Sequence, residues 1–475
     1  MFERIFKLSK NGTTAKTEIL AGLTTFMTMA YIIALNPNLL TNFGQEGAAL
    51  WNGVFMATCI ASSIGMFCMA FLANKPFCLA PGMGLNSFFA VVVGNIVGIT
   101  GMSYLASFQA ALIVILIEGI LFIILSLFNV REKIVESIPL GIRLGISPAI
   151  GLMLMNIGLG SNAGIYSENG GPFYALRDFF GALTPGVAQD AMGNGYGQMI
   201  LTVVTMLIGL FLIVALAKRG IHGAVLYGML GASIIYWAGA FLFLHTNPFA
   251  SLEGASFLPP FRDMAETTLF KLNFQGFVEI GWFTVITLTI TFCIIDMFDT
   301  IGTLVGTASR AGMVDEKGNM PNMKEALLCD AIATVTGAFT GTSTVSTFVE
   351  SAAGVEAGGR TGLTALTCGI LFLACIFIAP IAAIIPPAAT SAALIYVGVL
   401  MLQGLKKVNF DDLDQMVPVC LMLIAMPVSG SIGHGIGLGL IAYTIIKIFS
   451  GKFKDVSILT YVISALFLVK FFLVV

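Results

Sequence analysis

Apolar residues in this chain gather into runs of about 20, the length that crosses a bilayer at 1.5 Å per helical residue. The runs are Ile19–Leu40, Trp51–Ala73, Ser103–Phe128, Gln198–Ala217, Ala224–Leu244 and Gly281–Val305, then Leu363–Pro380, Ser391–Leu405, Val417–Pro427, Gly435–Phe449 and Ser457–Val474. No single globular core buries so many consecutive spans, so the pattern predicts an all-α polytopic membrane protein. Two stretches interrupt it, PGMGLNSFFAVVVG at 81–94 and GTSTVSTFVESAAG at 341–354. Each opens on residues that disfavour helix: Pro81, Gly82 and Gly84 in one, Gly341, Thr342, Thr344 and Val345 in the other. Each then precedes only about ten apolar residues, too few to span. A short extended piece followed by a half-helix is expected in both.

The two stretches also read as copies. Setting one beneath the other pairs Phe88 with Phe348, Gly94 with Gly354 and Asn86 with Ser346; likewise GIHGAVLYGMLGASIIYW (220–237) pairs with SIGHGIGLGLIAYTIIKI (431–448). Two matches in the same order divide the chain into a first repeat, 19–245, and a second, 277–450. They leave a cytoplasmic N-terminal segment 1–18, an outward loop 246–276 and an apolar C-terminal segment 451–475, within which 457–474 either spans or packs on the surface. Gly160–Gly197, rich in Gly, Asn and Pro, is read as a further outward loop. Seven membrane segments per copy is an odd number, which forces the second copy to insert upside down, as in many secondary transporters. Non-helical backbone at membrane depth is tolerated only inside protein or along a cavity. The two extended pieces are therefore expected to meet near the midplane, with two half-helix amino termini offering N–H groups to polar or anionic ligand atoms.

Composition agrees with the pattern: 57% of the 475 residues are apolar, 10% are charged and 38 are Phe. The net charge of −2 is uninformative, but the placement of the positive residues is not. With the amino terminus in the cytoplasm and one crossing per span, all but four of the 23 Lys and Arg fall on the cytoplasmic side. Arg177, Arg262 and Lys271 face outward, and Lys470 in the last segment is unassigned. That bias follows the positive-inside rule and predicts a multi-pass protein of the cell membrane. The opening MFERIFKLSKNGTTAKTE has no small-residue cleavage site and reads as an interfacial amphipathic turn. Eight dispersed cysteines without a CxxC pair, and three distant histidines (His222, His245 and His434), predict no metal site and no cofactor. The lipid bilayer is the expected partner, and nothing points to nucleic acid.

Charged side chains inside a membrane cost about 2.5–3.5 kcal/mol each on insertion scales, so those that occur there mark sites. Asp296, Asp299, Glu118 and Glu350 fall within apolar segments. Asp296 and Asp299 are three apart and share a helical face. Asp296 lies past the middle of its span and, with Glu350, is taken as a substrate or ion site. Asp299, nearer the cytoplasm, is taken as a cap or a partner for a basic loop residue. Glu118 reads equally as a packing residue or a functional one, and Asp330 as a structural residue near a helix start. Asn86 either touches ligand or braces the crossing. Among the hydroxyls, SAAG (351–354) is explained by close helix contact, whereas GTSTVST has more donors than such a contact needs.

At these residues the sequence resembles the AzgA-like purine permeases of the nucleobase–ascorbate transporter superfamily. The matching stretches are AGLTTFMTMAYIIALNPNLL, APGMGLNSFF, GIRLGISPAIGL, DMFDTIGTLVG, GTSTVSTFVESAAGVEAGGRTGLTA and MPVSGSIGHGIGLG, reaching from Ala21 to Gly439. The resemblance implies a core domain (about 19–129 and 277–382) and a gate domain (about 130–245 and 383–450). It also implies uptake of adenine, guanine or hypoxanthine with a cation, usually a proton, and a homodimer. Carried onto this chain, the family's site residues are Asp296 and Glu350 for the base and the proton, with Asn86 as the polar residue of the third segment. Ser343, Thr344, Gly82 and Met83 complete the expected substrate contacts. Pro148 in GISPAIGL departs from the family's small residue and bears on local gate-helix geometry.

The chemistry fits a neutral purine. Its N–H and amino donors suit a carboxylate, and charge-assisted bonds in a dry site are strong. Withdrawal from water favours the neutral form of a carboxylic acid, which can then carry a proton across. Phe88 or Phe348 would face the flat ring unless, as is commoner, both pack in the core. Two rivals from other classes are weaker. An intramembrane enzyme holding Mg²⁺ at Asp296 and Asp299 would want a second acidic cluster and basic residues for phosphate. An anion transporter would want a fixed positive charge where Glu350 stands.

Overall fold

The computed structural model describes residues 2–42, 44–128, 138–162, 196–253, 255–310, 313, 320–430 and 432–473. In chain order its membrane helices begin with α1 (Ala15–Met29), α2 (Ile32–Leu40) and α3 (Ala48–Cys68). Strand β1 (Leu79–Pro81) leads into α4 (Met83–Thr100), followed by α5 (Tyr104–Leu127), α6 (Leu140–Ile157), α7 (Tyr196–Lys218) and α8 (Ala224–Phe243). The second half opens with α9 (Trp282–Arg310) and α10 (Met323–Thr340). Strand β2 (Val345–Thr347) then leads into α11 (Ser351–Glu356) and α12 (Gly362–Ala374). Helices α13 (Pro387–Met401), α14 (Leu413–Ser429), α15 (Ile432–Phe449) and α16 (Ile458–Leu473) complete the chain. Eleven helical segments among the described residues are long and apolar enough to cross a membrane. The chain is a multi-pass helical membrane protein.

Two compact units emerge, each drawing on both halves of the sequence. One comprises Met1–Glu136 and Ser256–Ala379, the other Ser137–Ala255 and Pro380–Val475. In the first unit, β1 and β2 pair antiparallel with Leu79 opposite Thr347, Ala80 opposite Ser346 and Pro81 opposite Val345. The ladder is extended by Gly82 N–H donating to the Thr344 carbonyl and Phe348 N–H to the Cys78 carbonyl. Pro81 has no N–H to give, and the end of a strand is where that loss is tolerated.

The strands themselves are the equivalent elements of the two halves. Pro81 therefore corresponds to Thr347, and the sequence pairing of Asn86 with Ser346 is out of register. The hydroxyl-rich GTST precedes the strand, whereas in the first copy the strand comes directly before Gly82. Expected half-helix lengths also change. Helix α4 runs 18 residues and α11 only six, because Gly358 at φ 103° ends the second while α4 continues to Gly101 at φ 70°.

Helix α11 lies against α1 at glycine: a Cβ on Gly354 would fall 2.0 Å from Thr25 Oγ1. The start of α12 is held by a side chain far away in sequence. Glu18 of α1 accepts from the N–H groups of Arg360 (2.8 Å), Thr361 (3.2 Å) and Thr364 (3.2 Å), and from the Thr364 hydroxyl at 2.6 Å. Asn74 Oδ1 accepts from Gly362 N–H at 2.8 Å. Orphan donors of a helix start are thereby satisfied in trans, with a carboxylate at the positive end of the dipole. The segment expected as an outward loop, 246–276, contains a short helix at Phe261–Thr267, and a further helix covers Phe274–Glu279. Within the first unit, Thr267 packs on Gly53 of α3, and Gln109 of α5 donates to the Thr267 carbonyl at 2.8 Å.

In the second unit, α6 and α13 cross at bare backbone, since a Cβ on Gly151 would meet the Gly398 carbonyl at 2.5 Å. Helix α6 runs through Pro148, which contacts Gly404. Asp414 and Lys447 pair at 2.5 Å between α14 and α15. Helix α16 packs on α15 through Gly437 and Phe467 and through the Thr444 and Ser464 hydroxyls, 3.0 Å apart. Its sixteen residues pack on a neighbour at a length short of a full span. Residues 163–195 of the expected loop Gly160–Gly197 lie outside the described residues.

Replacing Glu18 by Ala removes a buried acceptor of four donors at once. Loss of a helix cap alone costs about 0.5–2 kcal/mol, and stranded buried donors add about 1–3 kcal/mol. Thermal unfolding in detergent is expected to show a clear drop for Glu18→Ala, larger than for Glu3→Ala at the exposed amino terminus. Equal midpoints would show that the α12 start does not depend on this carboxylate.

Candidate functional site

Around the strand pair, the first unit gathers seven polar side chains, from α2, α3, α4, α5 and the segment before β2. From α2, Asn36 Nδ2 lies 2.9 Å from Thr342 Oγ1 and 2.8 Å from Thr58 Oγ1. Asn86, in the first turns of α4, donates from Nδ2 to the Pro81 carbonyl at 3.1 Å and accepts at Oδ1 from the Ser343 hydroxyl. From α5, Glu118 Oε2 accepts from the Thr344 hydroxyl at 2.7 Å. The side chains of Asn86, Ser343 and Thr344 are fully buried, with Ser343 bonded to Asn86 and Thr344 to Glu118. They brace the crossing. Gly82 has no room for a side chain: a Cβ there would stand 2.7 Å from Ser346 Oγ and 3.5 Å from Asp299 Oδ2.

The carboxylates divide by exposure. Asp296, Glu118 and Asp330 are fully buried. Asp299 and Glu350 are half-buried, as is Gly84 in the first turn of α4, and Val349 beside Glu350 is 57% exposed. Asp299 Oδ2 accepts from Ser346 Oγ at 3.3 Å, which puts it against β2 rather than at a loop. It is within electrostatic reach of both Glu350 and Asp330. Asp296, one turn back, has different partners: its Oδ1 lies 3.0 Å from the Thr300 hydroxyl, which lies 3.0 Å from Asp330 Oδ2. Asp330 Oδ1 in turn accepts from Thr347 N–H at 2.9 Å. Asp330 sits mid-helix in α10, not near a helix start, and holds β2 by its backbone.

Glu350 closes α11 at its amino end, and its Oε1 accepts from the Tyr31 hydroxyl at 2.7 Å. Tyr31 occupies the break between α1 and α2 and is fully buried. Sequence reasoning missed it, although a lone tyrosine in the apolar run TFMTMAYIIAL, six residues before Pro37, was the available signal. Thr300 was missed too, and its spacing of four from Asp296 was the clue. Phe88 packs on Phe292, ring centres 4.6 Å apart, and Phe348 is buried; both belong to the core. Met83 opens α4 just after Gly82, so its N–H and those of Gly84 and Leu85 belong to the first turn, which has no intrahelical acceptor.

Residues 16–429 match the profile described as the Permease family. The chain belongs to that family. Among the permease's relatives, the adenine permease AdeP of Escherichia coli (strain K12) is 38% identical over 99% of this chain and 96% of its own length. The guanine/hypoxanthine permease PbuO of Bacillus subtilis (strain 168) is 37% identical over 99% of this chain and 100% of its own. Among solved structures, the transmembrane domain of the cyanobacterial bicarbonate transporter BicA matches with a TM-score of 0.62. It is 16% identical and covers 88% of this chain and 97% of that one. The shared property there is the fold. Family membership makes the chain a transporter, and the reading of Asp296 and Asp299 as a Mg²⁺ site of an enzyme falls.

Bracing and ligand contact by Asn86 separate experimentally. Asn86→Ala strands the Ser343 hydroxyl in a buried site, a loss of about 1–3 kcal/mol. The ligand-free permease is expected to unfold at a visibly lower temperature in the variant. Unchanged stability with weakened substrate binding would make Asn86 a ligand contact instead.

Proposed function

We propose that the permease imports a purine nucleobase, hypoxanthine/guanine or adenine, by proton symport across the cell membrane, with its amino terminus in the cytoplasm. The observation that carries the reading is the pair of half-buried carboxylates, Asp299 and Glu350, at the crossing of β1 and β2. A neutral purine offers N–H donors along one edge and ring acceptors along another. The two carboxylates take the donors, and the first-turn N–H groups of Met83 and Gly84 meet the acceptors. The N–H of Gly82 is committed to the Thr344 carbonyl, so Gly82 contributes by its missing side chain. Asn86, Ser343 and Thr344 set the frame. Asp296, buried behind the crossing, is assigned to the proton rather than to the base, and Glu350 to both. The named activities of the relatives support the substrate class, and the excess of cytoplasmic Lys and Arg supports the orientation. Core and gate roles for the two units, and a homodimer, belong to the same reading.

Competition of labelled hypoxanthine uptake by adenine, guanine, xanthine, uracil, sulfate and bicarbonate in proteoliposomes tests the substrate. Only purines are expected to compete, and inhibition by the anions alone would overturn the proposal. Loss of one charge-assisted bond is worth about 1.5–3 kcal/mol, so Asp299→Asn is expected to weaken purine binding roughly ten- to a hundredfold. Glu350→Gln is expected to abolish concentrative uptake in a folded protein, and Asp296→Asn to lose accumulation while still binding. Wild-type accumulation by a well-expressed Glu350→Gln variant would remove Glu350 from the site. For the ion, an inward proton gradient in sodium-free buffer should drive accumulation and a protonophore should collapse it. Accumulation driven by sodium and indifferent to pH would refute proton symport.

A further inference from the structure

Thr300 places one hydroxyl between two buried carboxyl groups, 3.0 Å from Asp296 Oδ1 and 3.0 Å from Asp330 Oδ2. A hydroxyl carries a single hydrogen. It donates to one carboxylate, and a bond to the other requires that the second carboxyl be protonated and donate to the Thr300 oxygen. Two bare carboxylates here would repel each other across one hydroxyl in a buried site. The same helices pack through a buried apolar cluster of Met297 of α9, Phe122 of α5 and Ala331 of α10. The other oxygen of Asp330 accepts from Thr347 N–H at 2.9 Å, in the strand that carries the crossing.

We propose that Asp330 is a positioning residue that passes the protonation state of Asp296 to strand β2. The two arrangements are related by one proton. In one, Asp296 is protonated and donates to Thr300 Oγ1, Thr300 donates to Asp330 Oδ2, and the ionised Asp330 holds Thr347 N–H by a charge-assisted bond. In the other, Asp330 is protonated at Oδ2 and donates to Thr300, and Thr300 donates to an ionised Asp296. Between them the Asp296 proton moves to Thr300 Oγ1 as the Thr300 proton moves to Asp330 Oδ2. The total charge is unchanged. Only in the first is the grip on Thr347 N–H strengthened by charge, by roughly a factor of two in bond strength. Proton position is thereby converted into tension on the backbone beside Ser346 and Phe348.

The elements packed on α10 bring further titratable groups towards this unit. Asp299 of α9 is within electrostatic reach of Asp330, and Glu350 within reach of Asp299. Glu118 of α5 is engaged by Thr344, and Cys68 of α3 neighbours Cys329. On α10 itself, Lys324 and Glu325 stand in the first turn. No Lys, Arg or His occurs in the sequences of α3, α5, β1, β2 or in α9 before Arg310.

The inference rests on proton symport, and its test keeps the two apart. Full-length permease in proteoliposomes is assayed for purine–purine exchange, for accumulation under an imposed pH gradient and, in infrared difference spectra, for the carbonyl stretch of a protonated carboxyl. Asp330→Asn and Thr300→Val are expected to keep exchange within about twofold of wild type while gradient-driven accumulation falls roughly tenfold or more. Thr300→Ser should restore accumulation, because it returns the hydroxyl. The wild-type spectrum should hold a protonated-carboxyl band at neutral pH that Asp330→Asn or Thr300→Val removes or shifts. Variants that accumulate like wild type, or that lose exchange and accumulation together, would overturn the coupling role. A carboxyl band unmoved by both substitutions would overturn the shared proton itself. A wild-type protein indifferent to the pH gradient would instead sink the proton symport reading, and the infrared spectra would still decide whether the carboxyls share a proton.

Discussion

Backbone N–H and C=O groups cannot be left bare at membrane depth, where each unsatisfied group costs several kcal/mol. Two stretches of this permease abandon the helix there, and their solution is to bond to one another. The antiparallel pairing of Leu79–Pro81 with Val345–Thr347 uses their ladder groups, and Gly82, Thr344, Cys78 and Phe348 extend it. Several polar side chains of the first unit serve that contact. Asn86, Glu118, Asp330 and Asn36 each reach the segment from a different element and hold its hydroxyls or amides. Removing water from the crossing is what obliges the surrounding helices to supply so many partners.

The same braces sort the acidic residues. A carboxylate that satisfies a threonine hydroxyl or a strand amide is spent on the scaffold, as Glu118 is on Thr344 and Asp330 is on Thr347. Asp299 and Glu350 remain half-buried at the crossing, and they are the pair that the proposed function assigns to the ligand. Tyr31 limits the freedom of Glu350, since its hydroxyl fixes one carboxylate oxygen. Transport chemistry in this architecture depends less on how many charges enter the membrane than on how many are already engaged.

Much of this was legible in the residues. Run lengths gave the polytopic helical class, and the helix-breaking openings at Pro81 and Gly341 marked the extended pieces, because those signals are local. Register was not legible. The strand is three residues long in each half, and the hydroxyl run before β2 mimics the polar turn of α4, so the alignment slid until like residues matched. Nor could the residues alone separate the surroundings of Asp296 from those of Asp299. Three residues apart on a helix means the same broad face, and only the positions of Ser346 and Thr300, from strand and helix respectively, separate them. Glu18 was hidden differently: its partners at Arg360, Thr361 and Thr364 lie more than 340 residues away.

Unequal half-helices have a thermodynamic consequence. Helix α4 extends about 27 Å and α11 about 9 Å at the usual rise. Were the inverted halves identical, exchanging their roles would convert one end state of the transport cycle into a mirror of the other, and the two would be equally populated in the absence of any gradient. An 18-residue helix and a six-residue helix cannot trade places at no cost. The two halves are therefore not interchangeable, and symmetry places no requirement that the end states of a transport cycle be equally populated.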